Sequence, residues 1–132
     1  EVLFMKFSKN LLLVFSAIIG LSTTSGALAS SSVPKSLRGY YIGSHKLLIL
    51  SKKMVTNGAP QSDTYGNTVT HVYKSKGYYY IRNYIKMDKT YWGTLKLKKV
   101  GYRKISCKGV FYKTAILHKV TKKQYFHYAY YG

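Results

Sequence analysis

Rings and cations are interleaved along Tyr78-Tyr79-Tyr80-Ile81-Arg82-Asn83-Tyr84-Ile85-Lys86. Successive side chains of an extended chain point to opposite faces. Tyr78, Tyr80, Arg82, Tyr84 and Lys86 therefore share one face, and Tyr79, Ile81, Asn83 and Ile85 share the other, which reads as the core side. A face of rings and cations can stack on sugars or bases while its charges take anionic groups. Thr94-Leu95-Lys96-Leu97-Lys98 alternates as strictly, with Lys96 and Lys98 on the wet side. Tyr78, Tyr80, Arg82, Tyr84, Lys86, Lys96 and Lys98 thus make up a candidate binding face for a polyanion or glycan. The competing reading is aromatic packing that only stabilises a sheet, worth ~0.2–1 kcal/mol per cross-strand pair. It suits any single tyrosine better than it suits the whole face.

Other chemistry is poorly supplied. General acid–base work by paired carboxylates needs two acids facing one substrate. Beyond Glu1 the chain has only Asp63 and Asp88, each in an expected loop or turn. No Gly-x-Ser-x-Gly elbow is present. His45, His71, His118 and His127 lack metal-ligand spacing, and His71 and His127 read as ordinary strand residues. Gly77, Gly93, Gly101 and Gly109 are isolated, as turns and bulges require. The single cysteine, Cys107, reads as a small buried hydrophobe and not a nucleophile. The expectation is a non-enzyme with no catalytic residues, no metal and no cofactor.

Residues 5–29 have the order of a secretory leader. Met5, Lys6 and Lys9 form a positive start, and an apolar run of about 11 residues follows, short of the ~20 that span a bilayer. Ala27-Leu28-Ala29 offers the small residues of a cleavage site, so the cut is expected after Ala29, with Ala27 and Ala29 as its recognition residues. An uncleaved anchor is the alternative. Translation is expected to begin at Met5. Residues 30–37 read as a flexible lead-in and 38–132 as one basic domain with no membrane span. One cysteine cannot make an internal disulfide, which small secreted domains often use; the pattern suggests a Gram-positive exporter.

The whole chain has 22 Lys+Arg against 3 Asp+Glu. Losing Lys6, Lys9 and Glu1 with the leader leaves 20 against 2, or +18 on 103 residues. Such a density opposes compaction and implies polyanionic partners: anionic wall polymers or acidic glycans, with no specific nucleic acid. A merely soluble, solvated surface is the bland alternative. All 15 tyrosines fall after the leader, among Phe, Ile, Leu and Val, so there is apolar surface enough to fold.

Short β-like runs fill the domain: 38–42, 47–50, 68–74, 78–86, 90–98, 103–107, 110–117 and 124–131. Residues 54–66, rich in Asn, Gly, Pro, Ser and Asp, read as a long loop. Ser75-Lys76-Gly77 closes the clearest hairpin. No window after the leader holds helical spacing. Seven to nine strands with short links predict an all-β fold, an antiparallel meander closed into a small barrel, since closure removes exposed edges.

Pro34-Lys35-Ser36-Leu37-Arg38-Gly39-Tyr40-Tyr41 resembles the opening of small secreted proteins of lactic-acid bacteria, which begin with a Pro-x-x-Leu-x-Gly-x-Trp-type motif. Those are similar to lipocalin-like barrels, whose first strand carries Gly-x-Trp. Here Tyr41 stands at the Trp position. The resemblance implies a binding barrel with an aromatic plug at Tyr41. It also frames the alternative function, a carrier of a small apolar ligand in the barrel interior. About 103 residues are few for both a core and a cavity, which favours surface binding.

Overall fold

The hairpin expected around Gly77 turns on two left-handed residues, Lys76 (φ 52) and Gly77 (φ 83). That backbone lets a two-residue turn follow the right-handed twist of its strands. The structure, a computed structural model, describes residues 29–132. Most of the expected leader, Ala27 included, lies outside the described residues. The elements are β1 (Ala29–Ser30), a 3-10 turn (Lys35–Leu37), β2 (Gly39–Gly43), β3 (Lys46–Leu50), β4 (Met54–Gly58), β5 (Thr64–Ser75), β6 (Tyr78–Lys86), β7 (Thr90–Gly101), β8 (Lys104–Lys108), β9 (Ala115–Val120) and α1 (Lys122–Tyr131).

β2 to β9 run as an antiparallel meander, and β9 returns to pair with β2, so eight strands close into a barrel. Two long strands make the corners. β5 pairs with β4 over residues 64–68 and with β6 over 68–75, with a bulge between Val69 and His71. β7 pairs with β6 over 90–97 and with β8 over 96–101, and its register shifts between Lys99 and Gly101. Such bulges bend a strand and let a flat sheet curl. β1 adds to the free part of β5, pairing Ala29 with Tyr73 and Ser30 with Val72. The fold is the all-β antiparallel barrel that the alternation implied.

The interior is packed by side chains from every barrel strand. Tyr41, Leu48, Leu50, Val55, Val69, Val72, Ile81, Leu95, Leu97, Ile105, Cys107, Ala115 and Leu117 are all buried in one cluster. Each fully buried aliphatic side chain contributes about 1.5–3 kcal/mol. The turns at 51–53, 76–77 and 102–103 ring one end of the barrel, and those at 44–45, 59–63, 87–89 and 109–114 ring the other. The first end is closed. Residues 30–37, expected as a flexible lead-in, carry Val33 and Leu37 into the core, both fully buried. Arg38 Nε donates to the Val33 carbonyl at 2.8 Å, and Val33 N–H donates to the Lys52 carbonyl at 2.9 Å.

Three expectations need correction. Residues 124–131 are helix, not strand, and His127 is helical with them. Thr121 accepts a hydrogen bond from Gln124 N–H, and Gln124 Oε1 accepts from Thr121 N–H, a complete capping box. Tyr125, Tyr128 and Ala129, at i, i+3 and i+4, are covered while their neighbours are exposed. Tyr125 and Phe126 meet Tyr40 of β2 at 5.3 and 6.1 Å between ring centroids. Residues 54–66 are mostly strand: Val55 is fully buried, β4 pairs with β3 and β5, and the loop shrinks to 59–63. Finally, the strand expected at 110–117 is Ala115–Val120, and Val110 and Phe111 pack against the core from a loop.

Candidate functional site

The predicted face is assembled on the outside of β5, β6 and β7. Tyr78, Tyr80, Arg82, Tyr84 and Lys86 alternate outward on β6, with Ile81 and Asn83 buried behind them. Antiparallel register then sets Lys96 opposite Tyr80, Thr94 opposite Arg82 and Trp92 opposite Tyr84. Lys96 Nζ lies 4.3 Å from the Tyr78 ring centroid and 5.5 Å from that of Tyr80. Lys98 Nζ lies 4.8 Å from Tyr78. The Arg82 guanidinium sits 5.1 Å over Trp92 and donates to Thr94 Oγ1 at 3.4 Å. Six of the seven residues, Tyr78, Tyr80, Arg82, Tyr84, Lys96 and Lys98, are thus brought together. Lys86 stands at the strand end, opposite Thr90, and makes no ring contact among the described residues.

Cross-strand register adds three residues the sequence did not point to. Tyr73 stacks on Tyr80 at 4.8 Å with 8° between the planes, and His71 lies 5.8 Å from Tyr73. Trp92 packs on Tyr84 at 5.0 Å. Only pairing could find them, because all three lie on neighbouring strands. Rings hold the cations in place, yet a ring satisfies a cation only in part. Asp63 and Asp88, the only acids among the described residues, lie in the turns at the open end, where Asp88 Oδ1 accepts from Tyr91 O–H at 2.9 Å. The cations of the face have no carboxylate partner among the described residues.

A second feature is the open end itself, a cavity of about 470 Å³ between Asn57, Asn67, Asn83, Tyr65, Tyr91 and Trp92. Its floor is amide. Asn83, 2% exposed, accepts from Asn67 Nδ2 at 3.0 Å and donates to the Ile81 carbonyl at 2.9 Å. Asn57 makes no side-chain hydrogen bond among the described residues.

Cys107 is buried, and burial pushes its thiol up to about 11, which leaves it protonated and unreactive at neutral pH. Among the described residues no group of three or more His, Cys, Asp or Glu could hold a metal ion, and no helix is long and apolar enough to cross a membrane. Ala29, the one described residue of the expected cleavage site, is exposed in β1. Neither a protein-family model, nor a curated protein, nor a solved structure matches the chain.

Proposed function

We propose that this chain is a secreted, non-enzymatic binding protein whose outer β5–β6–β7 face associates with anionic cell-envelope polymers or acidic glycans. One observation carries the reading: Lys96, Lys98 and Arg82 lie over Tyr78, Tyr80 and Trp92 with no carboxylate partner among the described residues. Rigid cations beside flat rings suit a polymer that alternates charged groups with sugar rings. A net charge of +18 after loss of the leader, 20 Lys+Arg against 2 Asp, supplies the long-range attraction. Counterion release drives such binding, so affinity should fall steeply with salt.

The test is binding to purified teichoic acid, peptidoglycan and an acidic glycan at about 50 and about 300 mM salt. The wild type should lose most of its affinity at the higher salt, and an Arg82→Ala, Lys96→Ala, Lys98→Ala variant should bind weakly at both. Absent binding at low salt, or affinity indifferent to salt, sinks the reading.

The mixed amide and apolar lining of the open end supports a second reading, that of a carrier. An apolar guest would leave the Asn57 amide without water or a partner, at about 1–3 kcal/mol. A small uncharged polar ring fits better. Its binding would be insensitive to salt and sensitive to Trp92→Ala.

A further inference from the structure

At the closed end of the barrel lies a small cavity of about 200 Å³ with four basic residues in its lining. Lys99, Arg103, Lys104 and Lys119 border it, together with Ser36, Tyr41 and the apolar Ile105. It belongs neither to the ring-and-cation face nor to the open end. Four parts of the chain build it: the end of the β7–β8 hairpin, the end of β9, Tyr41 of β2 and the 3-10 turn below the barrel.

Its geometry is held firmly. Lys119 N–H donates to the Arg103 carbonyl at 2.7 Å, and Arg103 Nε donates back to the Lys119 carbonyl at 3.3 Å. Arg103 takes a left-handed backbone, φ 52, which costs a non-glycine residue about 1 kcal/mol or more. Lys119 lies across the Tyr41 ring at 5.9 Å. It can do so because Gly39 has no side chain: a Cβ there would fall 2.5 Å from Lys119 Cε.

Two features here are unfavourable in isolation. Four basic residues border one small cavity, and one of them, Lys119, is partly desolvated. Burial first, then the charges of Arg103 and Lys99, hold Lys119 below the usual lysine range. No acid lies in the lining. A bound anion would relieve the repulsion and the desolvation together, and the Ser36 hydroxyl would complete its hydrogen bonds.

We propose that the cavity between Lys99, Arg103, Lys104 and Lys119 is a binding site for a single phosphate group. The basic residues of the lining come from three strands and a turn, so an oxyanion with several oxygens can meet more of them than a carboxylate can. The site deepens the polyanion reading and rests on it for the source of the phosphate, a phosphodiester wall polymer whose chain would cross the closed end.

The test titrates the full chain with inorganic phosphate, with a glycerol phosphate trimer and with acetate, at about 150 mM sodium chloride so that the diffuse field is screened. One phosphate should bind per chain, with acetate at least about tenfold weaker, the margin of one charge-assisted hydrogen bond. Lys119→Gln and, separately, Arg103→Asn (Asn tolerates the left-handed backbone) should each weaken phosphate by roughly tenfold or more. Lys99→Gln, on the exposed rim, gives the same direction without touching Tyr41. Tighter binding of the trimer than of phosphate assigns the polymer as source; tighter binding of phosphate assigns the free anion. The Arg82→Ala, Lys96→Ala, Lys98→Ala variant should keep phosphate binding, so loss of polymer binding there leaves the pocket standing. Equal affinity for acetate, or phosphate binding unchanged in all three pocket variants, overturns the site.

Discussion

The Tyr41 hydroxyl donates a 2.7 Å hydrogen bond to the carbonyl oxygen of Leu37, joining the first barrel strand to the turn that seals the barrel's closed end. Both residues are buried, Tyr41 at 2% exposed and Leu37 at 0%. The ring fills the base of the core while its polar tip satisfies a carbonyl that no water reaches. Tyr41 is therefore an aromatic plug with a latch. Tyr41→Phe keeps the plug and strands the carbonyl, which should cost about 1–3 kcal/mol. Urea unfolding measures the loss; a variant as stable as wild type would show that the latch contributes nothing.

How much of this was legible depended on where each signal lay. Residues 78–86 and 94–98 alternate with period two, one face is dry, and register follows from burying it, so the outward set could be named. The pairing partners Tyr73 and Trp92 could not, because register between strands is set by turn geometry and bulges that no single strand records. Residues 54–58 were hidden by turn-forming neighbours: Asn57 and Gly58 are poor strand residues, yet Val55 in the core and ladders on both sides hold them extended. The helix was hidden by its tyrosines, which favour strands. The signal against them was local: Thr121-x-x-Gln124 is a capping box, and Tyr125, Tyr128 and Ala129 keep helical spacing. The neighbourhood of Lys99, Arg103, Lys104 and Lys119 was out of reach, since three strands and a turn must meet first.

That capping box gives the second prediction. α1 lies against β2, and its far end is tied by Gln61 N–H donating to the Ala129 carbonyl at 2.8 Å. Thr121→Ala removes the acceptor for Gln124 N–H and should cost about 1 kcal/mol. Loss should be greater for Tyr125→Ala, about 3 kcal/mol or more, because a buried ring leaves a cavity. Thermal unfolding followed at the tyrosines checks both, and equal effects would mean that packing against Tyr40 is unimportant.

Alkaline pH should unfold the protein through two buried acids. Burial, partly offset by Arg103, pushes the Tyr41 phenol up from 10.0 to about 12, and burial, partly offset by Lys46, pushes the Cys107 thiol from 9.0 to about 11. Each is harder to ionise when folded. Their contribution is full below the unfolded value and is lost as pH rises through 9.0 to about 11 for Cys107 and 10.0 to about 12 for Tyr41. Stability measured in urea should fall by about 2–3 kcal/mol per group across its window. Cys107→Ala should flatten the lower part of the curve and leave the upper part. A curve without slope above pH 10 would contradict both shifts.

Lys96 separates the two roles of the ring-and-cation face. It sits over Tyr78 and Tyr80 at once, and the stacked Tyr73–Tyr80 pair extends its platform to a third strand. An exposed cation–ring contact is worth about 0.5–1 kcal/mol. Removing one charge from a chain this basic also relieves repulsion, in the opposite direction. Lys96→Gln should therefore change stability by no more than about 0.5 kcal/mol, while lowering the slope of log affinity against log salt for a wall polyanion by about one. Tyr78→Leu makes the complementary change. It keeps every charge, so the slope stays where it was, and it removes the ring under both Lys96 and Lys98. If the ring stacks on a sugar, affinity should drop by roughly tenfold at all salt concentrations, the worth of one stacked ring. If the rings serve only to pack the sheet, Tyr78→Leu should lower stability and leave affinity alone. Measuring unfolding and polymer binding on the same two variants distinguishes the outcomes, and only a parallel drop in affinity supports recognition by ring and cation together.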